Sequence, residues 1–192
     1  MIFDKKEKEL KVKIVYFGPA MSGKTSSLKA LMSIYKNQNE MISIETTTGR
    51  TLVFDFGTIK ITGKDISIKI ILMTATGQDF YASTRPATIE MLDGIIFVVD
   101  SQKEFLEDNV RSWNELFLYF GERLYNIPII VCLNKQDLPN MIEPELIIEK
   151  FNLKNYNKVQ IIRTIAKDNI IGIKESFQSI IKLIFPTLSI IT

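Results

Sequence analysis

Short apolar runs alternate along the chain with longer stretches in which apolar residues recur every three or four positions, the alternation of strands with amphipathic helices. The run 11–17 reads as a strand and 24–35 as the helix after it; two adjacent strand-like runs follow at 52–61 and 66–73. Gly63-Lys64-Asp65 between those two is a hairpin turn, because glycine supplies positive φ and aspartate favours turn geometry, so this pair is antiparallel. After a polar, threonine-rich stretch come strands 94–100, 127–133 and 159–164, each followed by a helix at 105–120, 144–151 and 173–185. The pattern predicts an α/β chain with a mainly parallel six-stranded sheet, one antiparallel strand (the second), and helices on both faces. Ligands of such sheets bind at the carboxyl ends of the strands.

With 192 residues, 46% of them hydrophobic, and neither repeats nor a low-complexity linker, the chain is expected to fold as a single domain over 1–192. Residues 1–10 form a short N-terminal arm, mixed in charge at Lys5-Lys6-Glu7-Lys8 and expected to be solvated. Residues 186–192 form an apolar tail that either packs back on the sheet or meets a partner, the former being the simpler account. A net charge of +2 creates no field for a polyanion, so no nucleic acid is an implied partner. The absence of histidine excludes imidazole acid–base catalysis and histidine-ligated zinc. Cys132, the one cysteine, lies in an apolar run and reads as a core thiol suited to a reducing cytosol. No signal peptide or membrane-length apolar segment is present, Ile2 stands where myristoylation needs glycine, and the last four residues lack a prenylatable cysteine. A cytoplasmic protein with no direct membrane anchor is expected.

The chemistry begins at Gly18-Pro19-Ala20-Met21-Ser22-Gly23-Lys24-Thr25, which fits G-x-x-x-x-G-K-[ST] between a strand and a helix. Backbone N–H groups from Gly18 through Ala20, Met21, Ser22 and Gly23 to Lys24, Thr25 and Ser26 are suited to form an anion nest at a helix N-terminus. Lys24 would reach the outer phosphates, and the Thr25 hydroxyl can ligate Mg²⁺.

Asn134-Lys135-Gln136-Asp137 follows a strand that ends on the same rim, in the order N-K-x-D. The Asp137 carboxylate can accept both N1–H and N2–H of guanine, a donor pair that adenine lacks, while Lys135 lays its aliphatic stem along the base. Thr164-Ile165-Ala166-Lys167 ends the next strand, where a backbone N–H at Ala166 or Lys167 could donate to guanine O6. Its weight comes from its place after the other two motifs.

These motifs, in this order and spacing, make the chain similar to the small Ras-like GTPases over nearly its whole length. The resemblance implies a three-layer P-loop GTPase fold that binds GTP and GDP with Mg²⁺. Within that superfamily Thr74-Ala75-Thr76-Gly77-Gln78-Asp79-Phe80-Tyr81 looks like the MglA branch, in which threonine replaces the aspartate of D-x-x-G. Asp93-Gly94 and Asp100-Ser101-Gln102 resemble the same branch. Its members are prokaryotic polarity and motility switches that work with a Roadblock/LC7-type (MglB-like) partner. This chain departs from it in having Thr76 where proline is usual and Pro86 early in the next helix.

The resemblance assigns further roles. Among Thr46, Thr47, Thr48 and Thr51, the γ-phosphate- and Mg²⁺-sensing threonine is taken as Thr51, which precedes the strand and matches the branch's Arg-Thr-Leu pattern. Arg50 becomes a candidate arginine finger in cis and Gln78 the water-orienting glutamine. Thr74 is expected opposite Thr25 as a neutral metal-side oxygen, so that Thr74→Asp should tighten Mg²⁺-dependent nucleotide retention. Asp55, inside an apolar strand, is expected to face outward, although a strand known in the branch to shift between nucleotide states could bring it to the site. The expected function is a guanine-nucleotide switch that hydrolyses GTP slowly alone and faster with a partner; the alternative is a nucleotide-binding pseudo-GTPase scaffold with little hydrolysis.

Overall fold

A strand buried on both faces reads as a continuous apolar run, and two runs fit: β6 (Gly94–Asp100) and β7 (Ile129–Asn134) are buried throughout and polar only at their last residues, Asp100 and Asn134. They are neighbouring interior strands of the sheet in a computed structural model that describes residues 1–35, 41–45, 51–63, 65–75 and 91–187. β2 (Glu9–Phe17) runs parallel to β6 on one side and to β5 (Ser67–Thr74) on the other. β7 continues the parallel sheet to β8 (Val159–Arg163).

β4 (Thr51–Thr62) pairs antiparallel with β5, as the Gly63 turn predicts, and Gly63 N–H closes that turn on Ile66 O at 3.1 Å. The described sheet has eight strands rather than six. β3 (Met41–Glu45) extends the edge beyond β4, and β1 (Ile2–Asp4) pairs antiparallel with the start of β2. The arm expected to be solvated is thus a hairpin. The Asp4 carboxylate accepts the N–H groups of Lys6 and Glu7 and holds Lys11 Nζ at 3.0 Å, so an aspartate turn folds the chain back onto β2.

Alternation along β2 divides the core. Val12, Ile14 and Tyr16 face a layer built with Leu28 and Leu31 of α1 (Lys24–Ile34) and Phe177 and Ile180 of α4 (Ile173–Ile184). Val15 and Phe17 face Trp113 and Leu116 of α2 (Leu106–Phe120) and Ile147 of α3 (Pro144–Lys150). In that second layer Trp113 stacks on Phe151 at 4.4 Å and donates its indole N–H to Phe151 O at 3.1 Å, which satisfies the one polar atom of a buried ring. Helices therefore cover both faces, as the apolar periodicity requires. The parallel register brings Phe17, Asp100, Asn134 and Arg163 to one rim. Residues 188–192 of the apolar tail lie outside the described residues, while Phe185 is partly buried against the first layer.

Candidate functional site

Three connections leave the carboxyl ends of β2, β7 and β8 and meet at this rim. The first, 18–23, turns through left-handed backbone at Gly18 (φ 141°), Met21 (φ 60°) and Gly23 (φ 103°) before α1 begins. Gly18 and Gly23 are required twice over: a Cβ at Gly18 would collide with Val98 O, and one at Gly23 with Asn134 Nδ2. Lys24 is 7% exposed, and its ammonium folds over the loop to donate to Gly18 O at 2.9 Å and Pro19 O at 2.6 Å. Ser22 Oγ is buried inside the loop without a hydrogen-bond partner among the described residues. Ala20, Met21 and Ser26 lie exposed at the loop's outer side, and Ser27 N–H closes the first helical turn on Gly23 O at 2.8 Å. Backbone N–H groups and a lysine at a helix N-terminus form a cradle for phosphate oxygens.

Asn134 joins all three connections. Its side-chain amide donates to Ser22 O in the first loop at 2.8 Å and accepts the Thr164 hydroxyl at the end of β8 at 3.2 Å. Asn134 is 3% exposed and Thr164 fully buried, so this link is shielded from solvent and fixes the distance between the 18–23 loop and the loop that follows β7. Beyond it, Gln136 N–H donates to Thr164 O at 3.3 Å, Leu138 N–H to Lys135 O at 3.1 Å, and Asp137 stands exposed on the rim. Ala166 and Lys167 lie in the loop after β8, whose neck is closed by reciprocal backbone bonds between Ile165 and Ile171 at 3.0 Å. All these predicted residues lie on one rim, with the aspartate open to a ligand.

The metal side differs from the sequence expectation. Asp55 does not face outward: it is fully buried, and its Oδ2 accepts the Thr25 hydroxyl at 2.5 Å and the Thr74 hydroxyl at 3.2 Å. Asp55 N–H donates in turn to Thr74 Oγ1 at 2.8 Å. The error was one of strand phase. Phe54 and Phe56 alternate with Asp55 in sequence and so suggest an apolar face opposite an outward aspartate, whereas the observed inward side carries Asp55, Gly57 and Ile59 toward α1. Counting outward from the Gly63 hairpin, with Thr62 opposite Ser67, would have placed Asp55 opposite Thr74.

Asp55 Oδ1 is buried without a hydrogen-bond partner among the described residues. With Thr25 Oγ1 beside it, this corner offers hard oxygen donors and one carboxylate, which suits Mg²⁺ completed by water and phosphate and not a metal held by protein alone. No cluster of three or more histidine, cysteine or acidic residues that could hold a metal occurs among the described residues.

Thr51 begins β4 opposite Glu45. Thr46, Thr47, Thr48, Arg50, Thr76, Gly77, Gln78, Tyr81 and Pro86 lie outside the described residues. Cys132 is buried between the sheet and α4, and burial pushes its thiol up to about 12 against a smaller opposing effect of the Ser176 hydrogen bond. It is a core group. Among the described residues no helix is long and apolar enough to cross a membrane.

The profile of the ADP-ribosylation factor family matches residues 1–184. The chain is similar to the mutual gliding-motility protein MglA of Myxococcus xanthus (strain DK1622), at 31% identity over 187 residues that cover 94% of each protein. It is also similar to DnaJ homolog subfamily C member 27 of Danio rerio, at 28% identity over 135 residues, 69% of this chain and 46% of that protein.

Proposed function

We propose, from the premise that this chain belongs to the ADP-ribosylation factor family and is an MglA-like small GTPase, that residues 1–192 act as one G domain whose rim couples guanine recognition to phosphate recognition. The chain is a nucleotide-binding switch of the GTP-hydrolysing kind. The observation that best supports the detailed reading is the Asn134 amide, which ties the phosphate loop to the N-K-x-D loop in one buried network.

In this reading the backbone N–H groups of 18–26 hold the phosphates, and Lys24 swings its ammonium from loop carbonyls toward the β and γ oxygens. Asp137 accepts the two guanine donors, Lys135 flanks the purine plane, and the Ala166–Lys167 backbone donates to O6. Thr25 and Asp55 would hold Mg²⁺ together with the phosphates, and Thr51 would join them in the GTP state. The chemistry Mg²⁺ supplies when bound is neutralisation of charge on the phosphate oxygens. Thr74 orients Asp55 by hydrogen bonding to both its N–H and its carboxylate, which supports a carboxylate supplied from β4 in place of the one absent from position 74.

Gln78 orients the attacking water, Gly77 senses the γ-phosphate, and Arg50 supplies positive charge to the transferring group. Turnover is slow without a partner and faster with one. A Roadblock/LC7-type regulator that engages Arg50, Gln78 and Tyr81 is the partner we propose, in the cytoplasm.

Single-turnover hydrolysis of γ-labelled GTP with Mg²⁺, alone and with that regulator, tests this reading. Gln78→Leu and Arg50→Ala should each slow phosphate release by at least about tenfold. GTP left intact under every condition would leave a nucleotide-binding scaffold. Asp137→Asn should shift preference from guanine to xanthine nucleotides, since an amide donates one hydrogen bond where the carboxylate accepts two. Equal retention of ATP and GTP by the wild type would overturn base selection.

A further inference from the structure

Lys135 is fixed at both ends. Its backbone takes left-handed φ of 65°, a conformation that lysine seldom adopts, and is held there by Leu138 N–H on Lys135 O and Gln136 N–H on Thr164 O. Its ammonium lies 2.5 Å from Asp100 Oδ2 and 5.5 Å from the centre of the Phe105 ring. The lysine side chain keeps 25% of its exposure, whereas the aspartate keeps 2%.

Asp100 is held from behind. It ends β6, and its backbone is gripped by one amide of α2: Asn109 Oδ1 accepts Asp100 N–H at 3.0 Å, and Asn109 Nδ2 donates to Asp100 O at 2.8 Å. Asn109 is fully buried, and an amide there would be costly were it not using both ends. Its two bonds replace the ladder bonds that β6 lacks at its end and fix where the Asp100 carboxylate points.

We propose that Asp100, set by Asn109, is a positioning residue for guanine binding: it anchors the Lys135 ammonium so that the four-carbon stem lies stretched along the rim as a preformed wall for the purine. This rests on the guanine-site reading above and adds a residue to it. A lysine side chain is rich in rotamers, and ordering it before the ligand arrives removes an entropic cost from binding. Asp100 Oδ1 also accepts Gln102 N–H at 3.3 Å, a bond that the amide oxygen of Asp100→Asn can keep, so its effect on the base passes through Lys135; the phosphates are held by 18–26, on the other side of Asn134. Its contribution therefore appears in binding of the base and not of phosphate.

The experiment uses the full chain with Mg²⁺ and compares fluorescent GDP with inorganic tripolyphosphate, a probe with no base. Asp100→Asn and Lys135→Met are each expected to speed GDP release about tenfold, the double variant no more than Lys135→Met alone, and tripolyphosphate affinity should stay at the wild-type value in all three. Additive losses, an Asp100→Asn release rate equal to wild type, or a parallel loss of tripolyphosphate would overturn the proposal. Because Asp100 is buried, a second measurement avoids mutation: acetic anhydride labelling of the wild type should modify Lys135 more slowly than the exposed Lys167, with and without GDP. Equal labelling in either state overturns it. Wild-type protein that binds tripolyphosphate but not GDP overturns the guanine reading itself, whereas tight wild-type GDP binding with an indifferent Asp100→Asn overturns this inference alone.

Discussion

Thr25 and Asp55 are 30 residues apart in sequence, yet the Thr25 hydroxyl donates to Asp55 Oδ2 at 2.5 Å, joining the first turn of α1 to β4. The contact sets a buried carboxylate beside Thr25, where position 74 itself carries only a threonine hydroxyl.

Asp55→Asn keeps the shape and an acceptor for Thr25 but removes the charge. Loss of a group that supports a metal ligand typically costs 10- to 100-fold in metal affinity, so the Mg²⁺ concentration needed to retain GDP should rise by about tenfold or more. Release of fluorescent GDP across a magnesium titration measures this. Superimposable curves for the variant and the wild type would remove Asp55 from the metal site.

Thr74→Asp has a different outcome from the one position 74 suggests when read alone. A second carboxylate would stand where the Thr74 hydroxyl now lies 3.2 Å from Asp55 Oδ2, and it would bring repulsion in place of a hydrogen bond. The variant should melt at a lower temperature than wild type in EDTA and recover much of the difference as Mg²⁺ and GDP are added. A variant as stable as wild type in EDTA would show that the two positions do not touch.

The contrast between positions 55 and 74 shows what the sequence carried. The phosphate loop was legible because backbone approach to an anion prescribes residue types in one contiguous run, and Gly18 and Gly23 are where a Cβ would collide. β6 and β7 were legible because burial on both faces leaves an unbroken apolar run, polar only at the carboxyl-end residues Asp100 and Asn134. Asp55 was not, since phenylalanine on either side makes an alternation that sets the opposite strand phase; register counted from the hairpin recovers the observed one. The Asn134 contact with Ser22 spans 112 residues and depends on the parallel order of strands, which no local pattern encodes. β1 hid in a charged arm whose turn signal was Asp4.

Asn134→Ala separates the two halves of the rim. It leaves Ser22 O and the Thr164 hydroxyl without their partner in a dry interior, a loss of about 1–3 kcal/mol for a buried polar group left unsatisfied. Both the phosphate loop and the base loop lose an anchor, so GDP and inorganic tripolyphosphate should each bind at least about fivefold more weakly. Asp137→Asn, by contrast, should weaken GDP alone. Isothermal titration with both ligands separates the cases, and an Asn134→Ala protein that loses GDP but keeps tripolyphosphate would confine this residue to the base.

Alkaline pH should destabilise the fold through groups far from the site. Burial pushes the Cys132 thiol from 9.0 to about 12, and burial likewise pushes the Tyr156 phenol from 10.0 to about 12. Both folded-state values lie above the unfolded ones, so the stability they contribute is fully present below pH 9 and is lost as pH rises toward 12, where the unfolded chain releases protons that the folded chain retains. Melting temperature should therefore fall steadily from pH 9 upward. Cys132→Ala removes the thiol's share while keeping an apolar residue between the sheet and α4, and its melting temperature should fall less steeply between pH 9 and 10, where Tyr156 has barely begun to contribute. The same burial should leave Cys132 unreactive toward a thiol reagent at pH 8 until the chain is unfolded in denaturant. Parallel pH profiles for the variant and wild type, or rapid labelling of the native protein, would show that this thiol is not sealed in the core.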